Sequence, residues 1–245
     1  MAQQAAETRI DLQRLRKVCS SCSLAELCLP MGLSRSDVER LDRIVQPTGP
    51  LHTGEHIYRV DDPFEAIYAV RSGYIKTYLV DESGREQVLG FHLPGELVGL
   101  DAIYPNRHQC NAIALDTVTV CKLPYGDIAS LATQVASLQN QIFRLMSKDI
   151  GGSHALSGDF TAEERVASFL MSISSRLHLR GYSATDFILA MTRRDIANYL
   201  RLATETVSRV FAKFQDDGLI AVDRRNIRVL ELDKLAALCR SVPQV

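Results

Sequence analysis

Between residues 51 and 124 the chain runs in short apolar-rich segments broken by turn formers. Segments 56–60, 66–70, 74–80, 87–92 and 117–123 are rich in Val, Ile, Tyr and Phe, and Asp61-Asp62-Pro63, Ser72-Gly73, Glu82-Ser83-Gly84 and Pro94-Gly95 punctuate them. Short strands at this spacing predict an antiparallel β-roll or barrel. After Tyr125-Gly126 the period lengthens: Leu131, Val135, Leu138, Ile142 and Leu145 recur at alternating steps of four and three, the seam of a coiled coil. A single amphipathic helix packed on its own domain would show the same spacing. Continued onward, the alternation places Asp149 and then Gly152 where apolar residues normally sit. Read as a seam, it predicts a dimerisation helix over 127–158 whose pairing is marginal, because two aspartates facing each other across a two-fold axis repel.

A new helix start follows at Thr161-Ala162-Glu163-Glu164, which has the spacing of a capping box and leads into Val166, Phe169, Leu170 and Ile173 before Gly181. This puts a domain boundary near Asp159. Thr192-Arg193-Arg194-Asp195 repeats the start signal, with Ile196, Tyr199 and Leu200 on one face. After a break at 201–203 comes a helix from Thr204 to Phe214. Its Val207, Val210, Phe211 and Phe214 form an apolar stripe, and Glu205, Ser208 and Arg209 lie together on another face. An Arg and short polar side chains near a helix N-terminus suit reading of base edges in the major groove. Segments 219–222 and 227–230 then predict a hairpin whose tip, with Arg224 and Arg225, suits phosphate contact.

Charge supports this division. The net charge of −1 conceals a net −4 over residues 1–160 and a net +3 over 161–245, an electrostatic footprint for nucleic acid in the C-terminal part. With 245 residues, 46% of them hydrophobic, there is material for two cores. Residues 1–17 lack the apolar centre of a signal peptide, and no stretch has the twenty or so apolar residues of a membrane span, so a cytoplasmic, membrane-free protein is expected. His52, His56, His92, His108, His154 and His178 are scattered and fit no nucleophile or metalloprotease motif, so no enzyme is expected.

Three of the six cysteines, Cys19, Cys22 and Cys28, fall within ten residues; the others are Cys110, Cys121 and Cys239. Three thiols on one short loop, with a fourth ligand from elsewhere, suit a cubane iron–sulfur cluster or a tetrahedral zinc site, and spacing does not separate them. Three buried thiols in a helical hairpin are the remaining alternative.

The segments CSSCSLAELCLP from Cys19, GFHLPGELVGL from Gly90, Val120-Cys121-Lys122-Leu123-Pro124, and MTRRDIANYLRLATETVSR from Met191 resemble the fumarate and nitrate reduction regulators. These are the oxygen-sensing branch of the cyclic AMP receptor protein superfamily, and the likeness runs from about Cys19 to Leu230. The resemblance implies an α+β chain: a cluster-binding segment at 1–45, a cyclic-nucleotide-binding-type antiparallel β-roll at 46–126, a long dimerisation helix at 127–158, and a winged helix-turn-helix at 159–245. It implies a 4Fe-4S cluster on Cys19, Cys22, Cys28 and Cys121 that supports a DNA-binding homodimer and is degraded to a 2Fe-2S form by oxygen. Ser23 and Leu27 take positions that govern oxygen access. Glu205, Ser208 and Arg209 would read TTGAT-like half-sites on double-stranded DNA, with RNA polymerase as a further partner. Two departures concern the turn: Arg201 stands where relatives have Gly, with a phosphate contact as its possible gain, and Ala203 stands at the cap, leaving Thr204 to cap instead. Gly95-Glu96 matches the superfamily's nucleotide-binding pair. The later segment Arg107-His108-Gln109-Cys110-Asn111 lacks the Arg-Ser or Arg-Thr that holds the cyclic phosphate, which disfavours a cyclic nucleotide.

Overall fold

The structure is a computed structural model that describes residues 18–154 and 159–239. Residues 1–17 of the expected cluster segment and 155–158 of the expected dimer helix therefore lie outside the described residues. The cysteine loop leads into α1 (Arg35–Ile44), where the Ser34 side chain caps the Asp37 amide and Leu41 is buried.

The roll follows as β1 (Gln46–Leu51), β2 (His56–Tyr58), β3 (Ala66–Ser72), β4 (Ile75–Val80), β5 (Glu86–His92), β6 (Leu97–Val98), β7 (Asn111–Ala114) and β8 (Val118–Pro124). It forms two four-stranded antiparallel sheets, ordered β1-β8-β3-β6 and β2-β7-β4-β5. The inward faces bury Val70, Ile75, Ala112, Val118 and Val120, the alternation that marked these strands in the sequence.

The expected single helix over 127–158 is two helices, α2 (Tyr125–Ala132) and α3 (Ala136–His154). They part at Thr133-Gln134, where both side chains donate back to the Ser130 carbonyl and compete with the helical ladder. Leu131, Val135 and Leu138 are buried in the chain's own core, with Leu29, Leu41 and Leu123, and Ile142 and Leu145 pack against that core. The first three positions of the line are therefore absorbed within the chain, while Ile142 and Leu145 are only partly covered. Asp149 follows this line in spacing but is exposed. Its carboxyl is pushed above the usual range by desolvation and by Asp101 and Glu96 of its own roll. The outward apolar positions of α3 are Phe143 and Ile150, 58% and 59% exposed.

The C-terminal domain comprises α4 (Ala162–His178), β9 (Asp186–Ile188), α5 (Arg193–Leu200), α6 (Thr204–Asp216), β10 (Ile220–Asp223), β11 (Asn226–Val229) and α7 (Leu232–Ala237). Thr161 with Glu164 and Thr192 with Asp195 make complete capping boxes, which is why α4 and α5 begin where they do. The sheet order β10-β11-β9 gives the hairpin a third strand. Among the described residues no helix is long and apolar enough to cross a membrane.

Candidate metal centre and nucleic-acid interface

The loop from Cys19 to Cys28 is wound by successive turns, Cys22 N–H to Cys19 C=O and Ala25 N–H to Cys22 C=O, both at 3.2 Å. Its entry is tied to α1 by one carboxylate oxygen. Asp42 Oδ1 accepts the amides of Val18 (3.1 Å), Cys19 (2.5 Å) and Ser20 (3.4 Å). Its exit is tied to α3: Gln141, 4% exposed, donates to the Cys28 carbonyl at 3.1 Å. Neither anchor has a local sequence signature, and neither was expected.

Cys121 comes from β8, where it pairs with Ala69 of β3. Cys19, Cys22, Cys28 and Cys121 all line one partly open cavity, whose remaining walls include Val18, Leu29, Leu41, Val45, Ala69 and Leu123. Among the described residues no three metal-ligating side chains converge closely enough to grip a single ion. The thiols stand around an apolar space, a donor set suited to a group several ångströms across more than to a point ion. Burial pushes the Cys19 thiol up, and the Asp42 carboxylate and the other cysteines add to it. Burial likewise raises Cys28 to about 12, against the Leu29 amide, and raises Cys121 against Arg71. Thiolates crowded in apolar surroundings need a cationic group among them. Ser23 is exposed beside Cys22, and Leu27 is half-buried. Cys110 lies elsewhere, its Sγ 3.6 Å from Asp101, and Cys239 is buried against α7, donating to the Leu235 carbonyl.

In the C-terminal domain Val207, Val210, Phe211 and Phe214 bury one face of α6, while Glu205, Ser208 and Arg209 are exposed. Arg193 stacks over the Phe211 ring at 3.5 Å, joining the two helices. Arg201 adopts the left-handed conformation (φ 55°) that favours Gly, and it remains exposed. Ala203 occupies the cap position of α6 with no side-chain cap. Thr204 does not cap in its place: it is the first helical residue, and its carbonyl accepts from Ser208 Oγ at 2.9 Å. Arg224 and Arg225 are exposed at the hairpin tip, Arg224 with φ 55°.

Comparison with known proteins agrees with both halves. Residues 50–135 match the cyclic nucleotide-binding domain family and residues 164–238 the Crp-like helix-turn-helix domain family. The fold and its helix-turn-helix define a DNA-binding transcription regulator, not an enzyme. Over 90–95% of its length the chain is 43% identical to the transcriptional regulatory protein btr of Bordetella pertussis, 45% to the transcriptional activator protein anr of Pseudomonas aeruginosa, and 41% to the fumarate and nitrate reduction regulatory protein of Salmonella typhi. It covers 97%, 91% and 89% of those proteins. FixK2 from Bradyrhizobium japonicum superposes with a TM-score of 0.73 at 28% identity, over 80% of this chain and 97% of that one. The chain belongs to the fumarate and nitrate reduction regulator family, within the group that also contains the cyclic AMP receptor proteins.

Proposed function

We propose that the chain is an oxygen-responsive, cytoplasmic transcription regulator in which Cys19, Cys22, Cys28 and Cys121 hold an oxygen-labile 4Fe-4S cluster. The observation that carries this reading is that these four cysteines, and neither of the other two, line one apolar cavity between the N-terminal loop and β8. When bound, such a group would supply an oxygen-labile cross-link among the four thiolates. The chain's own residues do the rest. Asp42 and Gln141 hold the two ends of the loop, and Leu27 and the apolar wall limit access to it. A homodimer is required because each chain reads one half-site, and Glu205, Ser208 and Arg209 are the reading set for TTGAT-like half-sites. Arg201, Arg224 and Arg225 contact phosphates. Phe143 and Ile150, exposed on α3, supply a dimer contact that the buried Leu131, Val135 and Leu138 do not. RNA polymerase is the further partner. A cyclic nucleotide is disfavoured because both carboxylate oxygens of Glu96 are already taken by Arg176 and Arg180.

The test is the visible absorption and acid-labile sulfide of anaerobically purified protein. Single Cys→Ser changes at positions 19, 22, 28 and 121 should abolish both, while Cys110→Ser and Cys239→Ser should keep both. A colourless, zinc-bearing wild type would refute the reading. A second reading, a nitric oxide or redox sensor with the same ligands, is separated by exposing the loaded protein to either gas in turn and following loss of DNA affinity. An electron carrier, the reading from another class, would need no helix-turn-helix.

A further inference from the structure

The turn Pro94-Gly95-Glu96 touches both halves of the molecule. On one side Gly95 (φ +91°) lines the cysteine cavity, and a Cβ there would stand 3.2 Å from the Cβ of Leu27, the neighbour of Cys28. The same turn is stitched to β3. Gly95 N–H donates to the Val70 carbonyl at 2.8 Å, and Val70 N–H donates to the Glu96 carbonyl at 2.9 Å. Val70 and Ala69 in turn pair with Val120 and Cys121 of β8. Both cysteine-bearing segments therefore press on, or hydrogen-bond through, one three-residue turn.

On its other side the turn holds the DNA-binding domain. Arg176 Nε donates to Glu96 Oε1 at 3.0 Å and Arg180 Nη2 to the same oxygen at 2.8 Å, while Arg176 Nη2 pairs with Oε2. Arg176 also donates to the Phe91 carbonyl and Arg180 to the Pro94 carbonyl. The Arg180 side chain is 3% exposed and the Glu96 side chain 18%. Removing one member of such a buried set leaves uncompensated charge, so the arrangement is held tightly or not at all. Two further contacts keep the same posture: Lys76 bridges Glu86 (2.9 Å) and Asp195 (2.8 Å), and Asn198 accepts from the Val88 amide. Glu205, Ser208 and Arg209 stay exposed in this docked arrangement, which leaves the reading face open to DNA.

We infer that Glu96 is a positioning residue that carries the state of the cysteine loop to the DNA-binding domain. An ordered loop seats Leu27 on Gly95, the turn presents the Glu96 carboxylate, and the carboxylate fixes the end of α4 through Arg176 and, just beyond the helix, Arg180. A loosened loop frees the turn and with it the orientation of α6. The proposed cluster reading names the group that orders the loop; the contacts stand without it.

The test compares the wild type with Glu96→Gln and Arg180→Gln for visible absorption, for DNA affinity with and without the cluster, and for amide hydrogen exchange along α4. Each variant should keep the absorption, lower the ratio of loaded to cluster-free affinity at least tenfold, and speed exchange in the last turn of α4. The Glu96→Gln/Arg180→Gln double variant should lose no more than either single one, because both act through one contact. A cluster-loaded Glu96→Gln protein with the wild-type affinity ratio would overturn the relay. If the wild type carries no chromophore, the cluster reading fails instead, and exchange still decides the relay. In that case Leu27→Ala in the chain as purified should speed exchange in α4 as Glu96→Gln does, and an α4 that stays protected overturns the relay.

Discussion

Asp42→Ala removes the single acceptor shared by the amides of Val18, Cys19 and Ser20. Hydrogen bonds to a charged group contribute about 1.5–3 kcal/mol each when partly buried. The Ser20 bond is long and exposed and adds little; the other two are part-buried, and water reaches the freed amides once the loop moves. A net loss of about 2–3 kcal/mol in holding the loop entry follows, or about 30- to 150-fold more frequent local opening. Asp42→Asn keeps an oxygen acceptor but not the charge, and a neutral bond is about half as strong, so about tenfold is expected there. Amide exchange at Val18, Cys19 and Ser20 in the cluster-free chain reads this directly. Alkylation of the Cys19 thiol is a second reading with a different sensitivity. Burial raises that thiol's pKa, the Asp42 charge raises it further, and both substitutions should therefore speed labelling. Cys28, held by Gln141 from α3, should label at its wild-type rate in both variants. Exchange at Cys19 within twofold of wild type in Asp42→Ala would refute the idea that this carboxylate tethers the loop.

Arg209→Ala should cost about 1–3 kcal/mol at a TTGAT-type site and relax the preference for guanine, whereas Arg225→Ala should weaken all DNA alike and lower the salt slope; equal losses on specific and scrambled duplexes would remove Arg209 from the reading set. Arg201→Gly relieves a left-handed residue costing about 1–2 kcal/mol but returns some unfolded-state entropy, so denaturation should show a net gain of about 0.5–1 kcal/mol, with DNA affinity lowered if the Arg touches phosphate. Phe143→Asp with Ile150→Asp should leave monomers in sedimentation runs of the loaded protein, while Leu138→Ala should cost about 2–5 kcal/mol of fold stability, since Leu138 is fully buried; dimers that survive the double aspartate place the interface elsewhere. Burial holds His92 down at about 4, with Glu96 opposing and Arg176 assisting; the unfolded chain binds this proton at about pH 6.5, so stability is full above that value and falls as pH drops towards 4. Chemical denaturation at pH 7 and pH 5 should show a smaller acid loss for His92→Gln than for wild type.

The winged helix-turn-helix was legible because its signals are local: two capping boxes a few residues long and an apolar stripe on α6. Most roll strands were legible from alternation, but β1 was not. Its sequence QPTGPL carries two prolines and a glycine, which fit an exposed edge strand and hide it from β-propensity. β6, two residues, and β7, which opens on Asn111, are too short to show a period. Spacing found three cysteines on their loop; only the family resemblance pointed to Cys121, since nothing local marks a ligand 93 residues beyond Cys28. Glu96 with Arg176 and Arg180 was invisible for the same reason, being joined across 80 and 84 residues. A reading of Gly95-Glu96 as a nucleotide-binding pair even pointed away from it.

The seam has a physical content of its own. Apolar period reports that a face is buried, not what buries it, so Leu131, Val135 and Leu138 read as partner contacts when they pack on Leu29, Leu41 and Leu123 of the same chain. At about 100° per residue, Phe143 and Ile150 lie nearly half a turn from the line through Leu138, Gln141 and Leu145. One helix thus presents two faces with different tasks. The inward face meets the cysteine loop, where Gln141 holds the Cys28 carbonyl while its own Oε1, buried, has no hydrogen-bond partner among the described residues. Such an unmet acceptor costs about 1–3 kcal/mol, and Leu of similar size would avoid it. A polar residue kept there at that cost makes the seat of α3 depend on the loop carbonyl and not on apolar packing alone. Because the helix is rigid, whatever shifts the Cys28 carbonyl also turns the outward face that carries Phe143 and Ile150. The loop is therefore coupled to the proposed dimer contact through α3, and separately to the DNA-binding domain through Glu96.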